Sequence, residues 1–279
     1  MTRLLRYRHD GLTFDVTDTG PLDGDPVVLL HGFPERNTCW RGVAPLLHAQ
    51  GLRTYAPDQR GFSPGARPPK VRDYTMDRLE ADVVALIDTI GGPVHLVGHD
   101  WGANYGWLVA AHRPELVRSL TAVSVPHPGA FRDAMLTTRQ AFASWYMGAF
   151  QIPRLPERLA AKPGGRFDQG LRRGGMTRED VERFRREVVA YGALTGGLNW
   201  YRAMPFTQQA AIADPVAVPT TFVWSDGDVA IQRASVDRCA DHVTGPYELR
   251  VLEGVSHWIP AQAPELLAEA ILDRIGSVP

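Results

Sequence analysis

Cysteine is nearly missing from this 279-residue chain, which has only Cys39 and Cys239. Two thiols so far apart make neither a disulfide framework nor a metal-ligand cluster, and they read as structural groups of a reducing, cytoplasmic compartment. A surplus of either charge is missing too: 30 Lys and Arg stand against 31 Asp and Glu, a net of −1. With no sustained basic run, the composition points neither to nucleic acid nor to an anionic membrane. No apolar run approaches the roughly eighteen residues of a membrane span. The opening Met-Thr-Arg-Leu-Leu-Arg-Tyr-Arg has no apolar signal core. Repeats and low-complexity tracts are lacking. What remains is an ordinary globular composition, 44% hydrophobic and 22% charged. The length suits one large α/β domain with an insertion, or at most two domains.

What the chain does have is short apolar runs that end in glycine or histidine. Pro26-Val-Val-Leu-Leu-His-Gly32 reads as a buried parallel strand, and Arg53–Asp58 and Leu116–Val125 as further strands. Asp77–Ile90 is a helix with Leu79, Val83, Leu86 and Ile90 on one face and Asp77 with Glu80 as a capping pair. Pro93-Val-His-Leu-Val-Gly-His-Asp-Trp-Gly-Ala103 is a strand that turns straight into a helix. From about residue 130 no strand pattern appears until Pro219–Trp224 and Tyr247–Leu252, and a last helix covers Pro264–Ile275. Within the insertion, Thr177 and Asp180 resemble a capping box. The partition is a mostly parallel α/β core over 1–127 and 214–279, with helices on both faces of its sheet. Residues 128–213 form an all-helical cap.

The strand-to-helix turn is where chemistry gathers. Asp100 lies between Gly98 and Gly102, the spacing of a nucleophile elbow with aspartate in place of serine. Taken alone, Gly-x-Asp-x-Gly also fits a βα turn with an N-capping Asp. Two further groups lie past strand ends: Asp226 or Asp228 in Trp224-Ser-Asp-Gly-Asp-Val229, and His257 in Gly254-Val-Ser-His-Trp258. Ligands and reactive groups collect at the carboxyl ends of parallel strands, so nucleophile, acid and histidine can meet. Gly61-Phe-Ser-Pro-Gly65 formally satisfies Gly-x-Ser-x-Gly. Pro64 removes a backbone N–H where an oxyanion donor is needed, so Ser63 is a loop residue. His31 and His99 read as structural hydrogen-bonders and His127 as a turn residue at the entry to the cap.

The combination of His31-Gly-Phe-Pro34, Gly98-His-Asp-Trp-Gly102, Leu198-Asn-Trp-Tyr-Arg202, Trp224-Ser-Asp-Gly-Asp-Val-Ala-Ile231 and Gly254-Val-Ser-His-Trp258 resembles the α/β-hydrolase fold family, and within it the epoxide hydrolases. The resemblance implies Asp100 as nucleophile, His257 as base and Asp228, with Asp226 as fallback, as its acid. It implies oxyanion donors on the backbone N–H groups of Phe33 and Trp101, and proton donors in Tyr201 and Tyr146. The substrate expected is a small apolar epoxide, opened to a vicinal diol without metal or organic cofactor. A pocket wall of Phe33, Trp101, Trp145, Trp200 and Trp258 is expected. Haloalkane dehalogenases share the Asp and His but usually carry Asn where this chain has Phe33, and fluoroacetate-type enzymes show Arg where it has Trp101. A catalytically silent ligand-binding protein of the same fold is the third reading.

Aspartate itself narrows the reaction. A carboxylate with a reference pKa of about 3.9 is already ionised at neutral pH. It is a weak nucleophile toward acyl carbon and suits displacement at saturated carbon, leaving an alkyl ester for an activated water to cleave.

Overall fold

The computed structural model describes residues 2–207 and 214–278. One eight-stranded sheet runs in the order β1-β2-β4-β3-β5-β6-β7-β8. Its strands are β1 (Arg6–His9), β2 (Leu12–Thr19), β3 (Asp25–Leu30), β4 (Leu52–Pro57), β5 (Val94–His99), β6 (Val117–Val123), β7 (Thr220–Ser225) and β8 (Tyr247–Leu252). β1 and β2 pair antiparallel, as do β2 and β4, and every later pairing is parallel.

The apolar runs explain the order. β3 and β5 are buried on both faces and take the centre, where a strand has a helix layer on either side. Along β3, Val27 and Leu29 join the cluster of Trp40, Val43, Leu47, Leu267 and Ile271 on one face. Val28 and Leu30 join Leu79, Val83, Leu86 and Trp107 on the other. This is the two-residue alternation of a strand sharing its side chains between two cores.

The first face is covered by α1 (Ala44–His48) and, at the chain's end, by α13 (Pro264–Gly276). The second is covered by α2 (Met76–Ile90) and α3 (Trp101–His112). Gly91 closes α2 with φ of 94° and an N–H to the Ile87 carbonyl, the left-handed end that glycine adopts without strain. The expected Asp77–Glu80 capping pair does not form. Thr75 precedes the helix with no side-chain cap, and Glu80 instead accepts a 2.8 Å hydrogen bond from His112 on α3. Tertiary pairing to a histidine has taken the carboxylate from its own helix end.

Residues 128–207 contain no strand. Their helices are α4 (Pro128–Thr137), α5 (Gln140–Ala143), α6 (Trp145–Phe150), α7 (Leu155–Ala160), α8 (Arg166–Arg173), α9 (Arg178–Phe184) and α10 (Leu194–Ala203). The last part of the expected insertion, 208–213, lies outside the described residues. Thr177 and Asp180 form a reciprocal capping box, each side chain accepting from the other's backbone N–H at 3.1 and 3.0 Å. Two devices place α10 against its surroundings. Gly196 meets the backbone of Gly61 so closely that a Cβ on either would collide with the other, and Arg202 pairs with Glu157 of α7 at 2.8 Å. Short helices α11 (Arg233–Asp237) and α12 (Ile259–Gln262) complete the chain.

Candidate active site

β5 ends at His99, α3 starts at Trp101, and Asp100 is the single residue between them. Its φ of 52° and ψ of −117° lie where a side chain with a Cβ is strained, at a cost on the order of 1–3 kcal/mol. The surroundings hold it there. Its N–H donates to the Val123 carbonyl at 3.1 Å, and its own carbonyl accepts from Ala103 and Asn104 at 3.0 and 3.1 Å. A Cβ on Gly98 would strike the backbone of Gly102, and one on Gly102 would strike the carbonyl of Leu30. Neither position admits any other residue without moving a strand. The carboxylate is thereby pushed out of the turn, above the sheet.

Three strand-end segments converge on it. The Phe33 N–H, in the turn after β3, donates to Asp100 Oδ1 at 2.8 Å. His257, five residues beyond β8, brings Nε2 to 3.5 Å from Asp100 Oδ2, longer than a tight hydrogen bond. Its Nδ1 lies 2.7 Å from Asp228 Oδ2. Asp228, three residues beyond β7, is oriented by two backbone donors, Ala230 and Ile231, on Oδ1 at 2.7 and 3.0 Å. Asp226, the fallback acid, is exposed and accepts from the Gly254 N–H at 2.8 Å. It caps a loop and is not the partner of His257. Among the described residues, no hydrogen bond runs from the Trp101 N–H to the carboxylate. That N–H is the first of α3 and has no partner within its helix.

The charges of this group act on one another. Burial disfavours an imidazolium at His257, but the Asp228 and Asp100 carboxylates outweigh it and push the pKa up to about 10. Burial alone would raise Asp100, yet His257 and then the Phe33 N–H hold it below the ordinary carboxylate range. The resting group is thus a carboxylate–imidazolium–carboxylate chain.

Above Asp100 lies a cavity of about 220 Å³. Trp101, Tyr146 of α6 and Tyr201 of α10 line it with the carboxylate. The two phenol rings are 6.1 Å apart, and the Tyr201 ring stands edge-on to Trp101 at 4.9 Å. Burial, then the negative charge of Asp100, pushes both phenol pKa values well above the ordinary range. Both therefore stay protonated at neutral pH.

The expected aromatic wall is different from the observed one. Of Phe33, Trp101, Trp145, Trp200 and Trp258, only Trp101 lines the cavity. Trp145 is 72% exposed on the outer side of α6. Trp200 is buried behind α10 with its indole N–H on the Arg60 carbonyl at 2.8 Å, and Trp258 donates to the Gly174 carbonyl at 2.9 Å. The Phe33 ring packs edge-on against Phe150 and Tyr201. Successive residues of a helix point about 100° apart, so the neighbour of an inward-facing tyrosine faces elsewhere. The wall is built instead from Met76, Met135, Met147 and Met204 with Leu136 and Ile231. Nothing in the sequence marked those methionines. Unbranched and polarizable, they suit an adaptable apolar pocket.

The remaining histidines have local tasks. His31 contacts the Gly32 carbonyl at 3.0 Å and accepts from the Gln59 N–H at 3.3 Å, and burial lowers its pKa to about 4. His127 accepts from the Gly129 N–H at the start of α4 and meets the Asp214 carbonyl. Ser63 is buried in backbone hydrogen bonds to Asp58 and Asp15. His99 meets the His257 carbonyl at 3.0 Å and lies 3.7 Å from Glu35, a buried acid that the motif reading passed over. Burial pushes Glu35 up to about 7 against the pull of Arg183. Its one sequence signal was position, directly after His31-Gly-Phe-Pro34.

A model of the alpha/beta hydrolase fold matches residues 25–264, and the chain belongs to that family. The AB hydrolase superfamily protein YfhM of Bacillus subtilis (strain 168) is 34% identical to it, over 95% of each chain. Epoxide hydrolase 3 of Xenopus tropicalis is 32% identical over 96% of this chain and 76% of its own. The crystal structure of an epoxide hydrolase from Vigna radiata superimposes with a TM-score of 0.83 at 30% identity, covering 97% of this chain and 96% of that one.

Proposed function

We propose that the protein is an epoxide hydrolase that opens an apolar epoxide to a vicinal diol through an ester on Asp100. One observation carries this: two protonated phenols face a carboxylate nucleophile across a single apolar cavity. Opening an epoxide releases an alkoxide, which needs acids opposite the nucleophile, whereas a departing halide needs none. Asp100 Oδ2 attacks a carbon of the epoxide ring, the C–O bond at that carbon breaks, and Tyr201 with Tyr146 delivers a proton to the leaving oxygen. Oδ1, already on the Phe33 N–H, becomes the ester carbonyl and carries the oxyanion of the second step. Trp101 N–H is the second donor in this reading.

Esterification removes the negative charge of Asp100. That charge helps to hold the proton on His257, so its loss lets the imidazolium give up its proton, which restores the phenol left deprotonated in the first step, and frees the imidazole to act as base. His257 then takes a proton from water, the resulting hydroxide attacks Cγ of Asp100, and the Cγ–Oδ2 bond breaks; the diol leaves with Oδ2, protonated by the imidazolium, and the acid left at Asp100 gives its proton back to His257. Asp228 steadies the imidazolium that forms. Residues 128–213 act in this scheme as a cap over a core of 1–127 and 214–279. The two buried free cysteines fit a cytoplasmic protein.

A single turnover of styrene oxide in heavy-oxygen water tests the scheme. The first diol should carry oxygen from the protein and Asp100 should gain the label. Solvent oxygen in that first diol means direct water attack. Halide release from a bromoalkane with no diol from any epoxide supports a dehalogenase instead.

A further inference from the structure

We propose that the outward face of the helical segment is a docking surface for an anionic lipid membrane, with the mouth of the cavity seated at the lipid. The surface goes beyond the reaction assigned above and its existence does not depend on it.

Three observations meet there. The first is apolar exposure. Phe142 and Trp145 are 78% and 72% exposed, and Ile152 and Leu155 are also exposed. Phe142 on α5, Trp145 on α6 and Ile152 just past the end of α6 form an exposed apolar strip. Tyr146 and Phe150, on the opposite side of α6, face Tyr201. The outward strip is therefore a separate feature, uncovered among the described residues. Six of the seven tryptophans are buried, and Trp145 is the exception.

The second is charge. Residues 128–207 hold thirteen Arg and Lys against seven Asp and Glu, a net of +6, leaving seventeen against twenty-four, a net of −7, in the rest of the chain. Between 136 and 178, the cations Arg139, Arg154, Arg158, Lys162, Arg166, Arg172, Arg173 and Arg178 are all exposed. The two acids in that stretch are taken up internally, Glu157 by Arg202 and Asp168 by Arg185. Of the eight cations, only Arg178 has an ion-pair partner among the described residues. The overall net of −1 averaged this segregation away.

The third is the cavity itself. Leu136 lines it and is 78% exposed, so the opening lies on the same apolar, cationic segment. Exposed tryptophan and aliphatic side chains on a segment that also carries unpaired, exposed cations are the composition that binds the headgroup boundary of an anionic membrane. Nucleic acid would engage the cations and leave the strip in water. A second copy in a two-fold dimer would set cation against cation.

Flotation with vesicles tests the proposal without any epoxide. The folded protein should float with mixed phosphatidylcholine–phosphatidylglycerol vesicles, not with phosphatidylcholine alone, and salt should release it. Brominated lipid should quench fluorescence, and Trp145→Phe should remove the quenching. Phe142→Ser with Trp145→Ser, and separately Arg154→Glu with Arg158→Glu, should each weaken binding about tenfold or more. Absence of flotation at low salt, or flotation that both double variants retain, overturns the proposal. So does a dimer that the Phe142→Ser/Trp145→Ser variant disperses, which assigns the face to a second copy, or DNA binding without lipid binding.

Discussion

The strand-end turns of the core and the helices above them solve different problems. In the core, Asp100, Asp228 and His257 are aimed by backbone: a strained elbow between glycines, two N–H donors on Asp228, and a fixed imidazole between two acids. In the helical segment, Met135, Met147 and Met204 line the cavity with Phe131, Leu136 and the two tyrosines, and the outer surface is apolar and cationic. Rigid geometry suits bond-making, where misplacement of a reacting atom is expensive. An adaptable wall suits recognition of an apolar substrate. Tyr146 and Tyr201 cross that division, being the proposed acids carried on the adaptable side.

The division breaks most visibly at the nucleophile. Asp100→Ala should lower turnover on the order of 10⁴-fold or more while leaving the circular dichroism and the melting transition in place. Activity that survives in a folded variant removes Asp100 from the nucleophile role. Next is His257→Gln, expected to slow ester cleavage about 10³-fold but spare its formation, so that an adduct on Asp100 accumulates under rapid quench. Equal slowing of both steps would show that the core does not separate them.

The pH dependence follows from the same charges. The resting imidazolium is stabilised by Asp228 and Asp100, so its pKa lies above that of free histidine. In the ester one of those charges is gone and the pKa must fall. Ester cleavage should therefore rise with pH through a midpoint below the one that a histidine titration finds in the free enzyme. Coincident midpoints would refute this coupling.

Tyr201→Phe tests the acids on the helical side. It should slow ester formation about 10²-fold and ester cleavage far less; an unchanged alkylation rate excludes Tyr201 as a proton donor. The smallest effect is expected in the wall. Met204→Leu should alter the preference between epoxide enantiomers and change turnover by less than about tenfold, since volume-conserving apolar exchanges cost little. A loss as large as that of Tyr201→Phe would mean that the wall is no more tolerant than the core.

Much of this arrangement could be read from residue order. Gly98-His-Asp-Trp-Gly102 specifies its turn locally, because only glycine fits beside the elbow backbone. The continuous apolar runs specify central parallel strands for the same local reason: both faces must be covered. Reading failed where a side chain had a choice of neighbours. Glu80 left its helix end for His112, and Trp145, Trp200 and Trp258, though adjacent in sequence to proposed site residues, face away from the cavity.

By itself, then, the amino-acid order determined the sheet, the strained bend and the succession of acid, acid and base past three strand ends, because backbone sterics and burial periodicity act over a few residues. Tertiary structure alone decided that Glu80 turns to His112, that Trp145 faces outward, and that four methionines join Trp101 in lining the cavity. Those outcomes depend on which surfaces pack together, and a side chain's direction is settled by the partner across the gap, which its sequence neighbours do not name.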